Sequence, residues 1–325
     1  MKRPRRKFLH LAAGAAALPV LPRIASALEY PTRPARIIVG YAAAGPTDIT
    51  GRLVGQWLSE RLGQQFIVEN RPGAGSNVGT ELVVQASPDG YTLLLVTTSN
   101  AINATLYDKL NFNFIRDVAP VGSIMRTANV MLVNPSSPAK TVPEFIAYAK
   151  ANPGKINMAT AGVGSPPHVY GELFNAMSGA GLISVHYRGG GPGLVDLLGG
   201  QVQVMFEGIT SSIGYIWGGK LRALAVTSAN RMAVLPDVPT VGEFVPGYEA
   251  SGWFGLGVPK NTPAQIIDTL NGEIDAELAD PTMKARIADL GGSPMSMTPA
   301  AFGKFIADET EKWAKVIRAA NIKAE

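Results

Sequence analysis

Two spacings of apolar residues alternate along this chain. Short runs rich in Val, Ile and Leu occupy residues 36–41 (RIIVGY), 66–69 (FIVE), 91–97 (YTLLLVT), 129–134 (NVMLVN), 156–161 (INMATA), 183–187 (ISVHY), 202–206 (VQVMF) and 222–228 (RALAVTS). Their length and β-branched content predict strands. Between them, apolar positions recur at helical spacing. Ile49, Leu53, Val54, Trp57, Leu58 and Leu62 share one face of a helix, and Leu194, Val195, Leu197 and Leu198 pack a shorter one. From Thr262 the chain turns helical over 263–279, 281–290 and 298–319, with Pro and Gly-Gly signals between the segments. Strands and helices in alternation define an α/β protein.

The first 27 residues break this pattern. Lys2, Arg3, Arg5, Arg6 and Lys7 precede a modest apolar segment from Phe8 to Leu21, and Ala25-Ser26-Ala27 has the small-x-small form of a cleavage site. This is the layout of an export signal peptide, cut after Ala27, for delivery to the periplasm. The Arg5-Arg6 pair fits a twin-arginine signal, and a basic Sec signal remains the alternative. Losing six basic residues, Arg23 included, moves the formal charge from +4 to −2. A nucleic-acid partner then has no support in the global charge. The chain contains no cysteine, so stability rests on the core, for which 298 remaining residues suffice, about two domains in length. No later apolar run reaches the roughly 18 residues of a membrane span.

Candidate chemistry sits where strands give way to helices. After RIIVGY come Ala42-Ala43-Ala44-Gly45-Pro46-Thr47-Asp48, with Thr47 the expected helix N-cap and Asp48 in the first turn. Alone, that aspartate does no more than offset the helix dipole. Residues 162–169 (GVGSPPHV) repeat the arrangement, with Ser165 as cap and Pro166 in the first helical position, and 186–198 (HYRGGGPGLVDLL) supply a third. Such junctions bind anions at the carboxyl end of a sheet. Each helix terminus gives only about 1–2 kcal/mol, whereas a micromolar ligand needs about 8 kcal/mol. A water-excluding cleft between two domains is the geometry that makes up the difference.

At these residues the sequence resembles the substrate-binding receptors of tripartite tricarboxylate transporters, the Bug receptors. The resemblance begins at residues 30–52 (YPTRPARIIVGYAAAGPTDITGR) and continues through 69–79 (ENRPGAGSNVG), 87–95, 162–174, 185–206 (VHYRGGGPGLVDLLGGQVQVMF), 219–231 and 235–243 to the helical tail. It implies a type II periplasmic-binding-protein fold, two α/β lobes with a ligand cleft between them. The first lobe would be residues 28–129 plus 252–325 and the second 130–251. It further implies a receptor that captures a small organic carboxylate and delivers it to membrane permease subunits, with no cofactor and as a monomer. A ligand-sensing module that signals to a partner is the alternative. By the same resemblance the ligand contacts are Ala44, Gly45, Thr47 and Asp48 in one lobe and Gly162, Gly164, Ser165 and His168 in the other, with Thr98, Ser99, Asn100 and Glu207 lining the cleft.

The first loop departs from the family pattern, because Ala43 and Ala44 stand where proline and glycine are usual. Ala44 is expected to resist a positive φ, and Pro46 removes one N–H donor. Pro166 and Pro167 remove two more, which favours contacts through water. Asp48 and Glu207 together would repel a polyanion, so a monocarboxylate, a dicarboxylate or an amino-bearing acid is favoured over citrate. If Asp48 faces the ligand, Asp48→Ala should cost less than about 1 kcal/mol of stability. Catalysis finds no support. No G-x-S-x-G elbow occurs, Ser165 has a capping role, His186 is expected to be a packed strand histidine, and no metal ligands show motif spacing. Residues 214–220 (GYIWGGK) match the P-loop spacing, but Leu221 replaces the required Ser or Thr, so the segment is expected to be a helix terminus. Arg71-Pro72-Gly73-Ala74-Gly75 is either a plain structural turn or part of a site.

Overall fold

The computed structural model describes residues 29–324. The proposed signal peptide and its cleavage site lie outside the described residues. The chain runs through β1 (Ala35–Val39), α1 (Pro46–Leu62), β2 (Phe66–Asn70), α2 (Asn77–Val84), β3 (Thr92–Thr97), α3 (Thr98–Leu106) and α4 (Phe114–Asp117) into a long β4 (Val118–Val133). There follow α5 (Val142–Ala151), β5 (Asn157–Thr160), α6 (Pro166–Ser178), β6 (Ile183–His186), α7 (Gly190–Leu198), β7 (Val204–Gly208), α8 (Ile209–Trp217) and β8 (Arg222–Val226). β9 (Ser251–Pro259), α9 (Ala264–Ala279), α10 (Pro281–Asp289), a two-residue β10 (Ser293–Pro294) and α11 (Pro299–Ala319) complete it.

Spatially the strands run β2-β1-β3-β9-β4-β7-β5-β6, with β8 and β10 also pairing β4. β1 pairs β2 and β3 in parallel, and β5 pairs β6 and β7 in parallel, as strands joined through helices must. β4 changes company along its length. It is antiparallel to β9 up to Ala128 and to β7 from Asn129 onward. The crossing is stitched by Asn129 N–H to Thr227 Oγ1 (3.0 Å), Asn129 Nδ2 to the Phe206 carbonyl (2.6 Å) and Ala250 N–H to the Thr227 carbonyl (2.8 Å).

Period-two alternation decides which face each strand residue covers. Ile37, Val39, Leu93 and Leu95 pack with Val54 and Leu58 of α1 and with Ile266, Leu270 and Ile274 of α9. Their neighbours Ile38, Leu94 and Val96 face the other way, into a core that takes in Trp253, Phe302 and Trp313. The helix α11 spans that core, and its Trp313 stacks on Tyr170 of α6 at 5.2 Å between ring centroids.

Some expectations change. The first part of β4 and all of β9 were not apparent as strands, because Gly122, Gly252, Gly255 and Gly257 interrupt their apolar runs. At Gly255 a Cβ would lie 2.2 Å from the Phe302 ring, so the glycine is what admits that ring. Val195 is 64% exposed rather than packed, and His186 stands exposed at the end of β6 with Nδ1 2.7 Å from Thr160 Oγ1. The GYIWGGK segment ends α8 at Trp217, with Gly218 and a left-handed Gly219 (φ 66°) leading into β8.

Candidate functional site

The loop after β1 is shaped by its own aspartate. Gly45, not Thr47, is the cap of α1. Pro46 takes the first helical position, so Thr47 already has helical geometry and its hydroxyl makes no capping bond. Ala44 does adopt a positive φ, 66°. Asp48 Oδ2 accepts from the Ala44 N–H (3.0 Å) and from Arg52 Nε (3.0 Å), and Oδ1 accepts from Asn70 Nδ2 (3.0 Å). Burial alone would raise this carboxyl, which is only 4% exposed, but the Arg52, Ala44 and Asn70 hydrogen bonds outweigh it and hold the pKa below the ordinary range. Its oxygens are turned into the loop, which it braces, and not into the cavities.

The loop after β5 is held without charge. Ser165 caps α6, its Oγ accepting from the His168 N–H (3.4 Å) and donating to the Gly162 carbonyl (2.6 Å). His168 Nδ1 accepts from the Gly164 N–H (3.2 Å). Burial, with a smaller contribution from the His186 ring 5.1 Å away, lowers the pKa of His168 to about 4 and keeps the ring neutral.

The two loops meet each other's lobes. The Ala42 N–H donates to the Arg188 carbonyl (3.0 Å), and Gly191 lies so close to the first loop that a Cβ there would be 2.7 Å from the Ala43 carbonyl oxygen. In return, Tyr107 Oη donates to the Val163 carbonyl (3.1 Å), and a Cβ on Gly75 would be 2.1 Å from that same oxygen. Two cavities lie among these contacts. A small one, about 40 Å³ and room for a few waters, is lined by Tyr41, Thr47, Thr98, Asn129, Glu207 and Trp253 among others. A larger one, about 420 Å³, shares Tyr41 and Ala161 with it and extends along Gly73–Ser76, Gly162, Val163 and Arg188.

Gly45, Thr47, Thr98 and Glu207 therefore line the small cavity, and Gly162 the larger. Ala44, Asp48, Gly164, Ser165 and His168 build the loops. Ser99 hydrogen-bonds the Tyr41 hydroxyl, and Asn100 completes the capping box of α3 while donating to Thr80 Oγ1. Sequence reasoning missed Tyr41, Thr127, Asn129, Gly190 and Trp253. Tyr41 adjoined the first loop and was available to it. Asn129 and Trp253 lie at strand crossings and carry no local signal. Gly73–Ser76, with φ of 46°, 59° and 83° at Ala74, Gly75 and Ser76, forms a wall of the larger cavity.

Glu207, the next to last residue of β7, is fully buried. Its Oε1 accepts from Ser211 Oγ (2.8 Å), whereas Oε2 has no partner among the described residues. Burial outweighs the Ser211 hydroxyl and the Gly208 N–H and raises its pKa to about 7.

A cleft between two α/β lobes, entered by helix N-termini from both, defines a binding protein of the periplasmic type. Comparison with known proteins makes this specific. The model of the tripartite tricarboxylate transporter family receptor matches residues 50–322. Protein BugT of Bordetella pertussis is 37% identical over 296 residues, 90% of this chain and 91% of that protein. The solved structure of R. palustris Rpa4515 with adipate is similar, with a TM-score of 0.88 and 33% identity over 90% of this chain and 99% of that one. So is MatC from Rhodopseudomonas palustris with bound malate, at 0.85 and 30% over 89% and 100%. The chain belongs to the tripartite tricarboxylate transporter receptor family, and it is a periplasmic solute-binding receptor, not an enzyme.

Proposed function

We propose that this receptor closes over a small organic carboxylate, a mono- or dicarboxylate, aromatic acid or amino acid, and delivers it to the membrane subunits of a tripartite tricarboxylate-type transporter. The observation that carries the reading is the reciprocal contact of the two loops, each seated against the opposite lobe around one pair of cavities. The larger cavity falls within the roughly 300–1,000 Å³ of small-molecule sites. Rpa4515 and MatC hold adipate and malate, which are small organic carboxylates. The lobes divide at 129/130 and 251/252, a division supported by the switch of β4 from β9 to β7 beside it. Ligand binding shifts the population from open to closed, because the contacts of both loops are available together only in the closed form. Export by residues 1–27 and a monomeric state complete the proposal.

A thermal-shift screen tests it. Adipate, malate, succinate, citrate, benzoate and a set of amino acids are each added to the protein lacking residues 1–27. A ligand at 100 times its Kd adds about 2.7 kcal/mol, a rise of several degrees. Stabilisation confined to one chemical group of acids is the expected result, and no response to any carboxylate would sink the reading.

A further inference from the structure

Glu207 has an unusual position for an acid in an anion receptor. It lines the small cavity, is fully buried, and directs one oxygen, Oε2, at no donor among the described residues. Gly190, the first residue of α7, sits directly on it, since a Cβ there would lie 2.2 Å from Oε1 and 2.7 Å from Oε2. An ionised carboxylate in such a place needs a cation or several N–H donors. The surroundings offer neither. From α8 comes the Ser211 hydroxyl, with the Gly208 N–H at the start of that helix, both acting on a carboxyl that burial lifts. From the loop after β1 comes the Tyr41 phenol, itself raised by burial and by Glu207. β4 contributes Thr127 and Asn129, α1 Thr47, α6 Pro166 and Pro167, and β9 Trp253. No Lys, Arg or His is among the residues that line the cavity. Arg188, two residues before Gly190, has an exposed side chain.

Resting on the carboxylate-receptor reading, we propose that Glu207 selects the ligand by proton-linked recognition: its neutral carboxyl donates through Oε2 to a ligand carboxylate oxygen. The small cavity has room for a carboxyl group and little else, and the body of the acid lies in the larger cavity beyond Tyr41 and Ala161. The charge repulsion expected from an acid in the cleft is thereby converted into a hydrogen bond. When the free protein has lost the proton, binding takes one up from solvent. Apparent affinity then follows the protonated fraction of the free protein. With a midpoint at about 7, it falls about tenfold between pH 6 and pH 8.

Two measurements test this. The first needs no ligand. A carbon-13 NMR titration of the glutamate carboxyls, with Glu207→Gln assigning the signal, should place the Glu207 midpoint near 7, and an ordinary value of about 4.3 overturns the inference. The second is calorimetry with adipate and with malate from pH 6 to pH 8, in two buffers of different ionisation heat. Proton uptake above pH 7 and the tenfold loss are expected, while Glu207→Gln, an isosteric neutral donor, keeps its pH 6 affinity at pH 8. If that variant folds poorly, Ser211→Ala replaces it. Removing the donor to Oε1 should move the affinity profile to higher pH. Binding of equal strength at all pH values, or binding that strengthens with pH as for an ammonium ligand facing an ionised Glu207, overturns this inference alone. Failure of both acids to bind at any pH overturns the carboxylate reading and this inference with it.

Discussion

The two cleft loops do the same job by different means. Each follows a parallel strand, opens a helix with a proline in its first turn, and rests on a glycine-bearing segment of the opposite lobe. The loop before α1 is wired by an ionised aspartate that ties Ala44, Arg52 and Asn70 together. The loop before α6 relies on a hydroxyl cap and a neutral imidazole. A brace made of charge survives any pH at which the charge persists. A brace made of a neutral base is lost as soon as the base is protonated, so one cleft has two walls of different acid tolerance.

The strongest test removes the fit between loop and opposite lobe. Gly75→Ala places a methyl group where the Val163 carbonyl oxygen now lies, at 2.1 Å and on a left-handed backbone (φ 59°). On the proposed closure, in which that contact belongs to the closed form, adipate affinity by calorimetry should fall more than about a hundredfold as the closed population is lost. The melting temperature without ligand should drop only slightly.

Acidification separates the loops next. His168 has a lowered pKa in the folded protein, so the unfolded chain binds more protons between its ordinary value near 6.5 and about 4. Stability must therefore rise with pH across this window and be lost as the pH falls through it. The loss attributable to His168 is on the order of 3 kcal/mol. It should appear in urea unfolding at pH 7.5 and pH 4.5 as a drop in wild type that is much smaller in His168→Gln. Asp48, also lowered, contributes stability that is present above its unfolded value and lost only on falling through the lower folded one. The first loop should thus persist at pH 4.5, and amide exchange at Ala44 and Gly164 would show the order of failure.

Asp48→Ala comes third. It strips a buried acceptor from the Ala44 N–H and from Asn70, and urea unfolding should give a loss of about 1–3 kcal/mol. The sequence alone had suggested less than about 1 kcal/mol, on the view that Asp48 faced the ligand; a small loss together with unchanged Ala44 exchange would restore that view. Ser165→Ala is the mildest change. Loss of the α6 cap should cost about 1 kcal/mol, and a null effect in the same assay would show that the two prolines hold that loop unaided.

Much of this comparison was visible in the chain. Ser165, Pro166 and the helix beyond them follow from local chemistry, since a capping hydroxyl and its amide lie within three residues. The three C-terminal helices appeared within a residue of their predicted ends because Pro and Gly punctuate them. Thr47 misled because a hydroxyl followed by an acid imitates a cap, although Pro46 already suits the first helical position and leaves Gly45 as the cap. Ala44 misled because its positive φ is stabilised by the side chain of Asp48, four residues on, a bond that exists only once the loop has closed. β9 escaped because its glycines interrupt the apolar run, and at Gly255 the missing side chain makes room for the Phe302 ring of α11, 47 residues away in the chain.

Local chemistry in the chain was enough for the alternation of strands and helices, the bounds of the three C-terminal helices and the three glycine-bearing junctions, since propensity, capping and period act over a few residues. The folded arrangement was needed to see that Asp48 braces a loop, that Gly75 meets Val163, and that Glu207 carries an oxygen with no donor among the described residues. The first depends on Asn70 at the end of the neighbouring strand, and the other two on what lies opposite across the cleft or in the core. Burial and proximity, which set those contacts and their pKa values, come into being only when distant segments pack together.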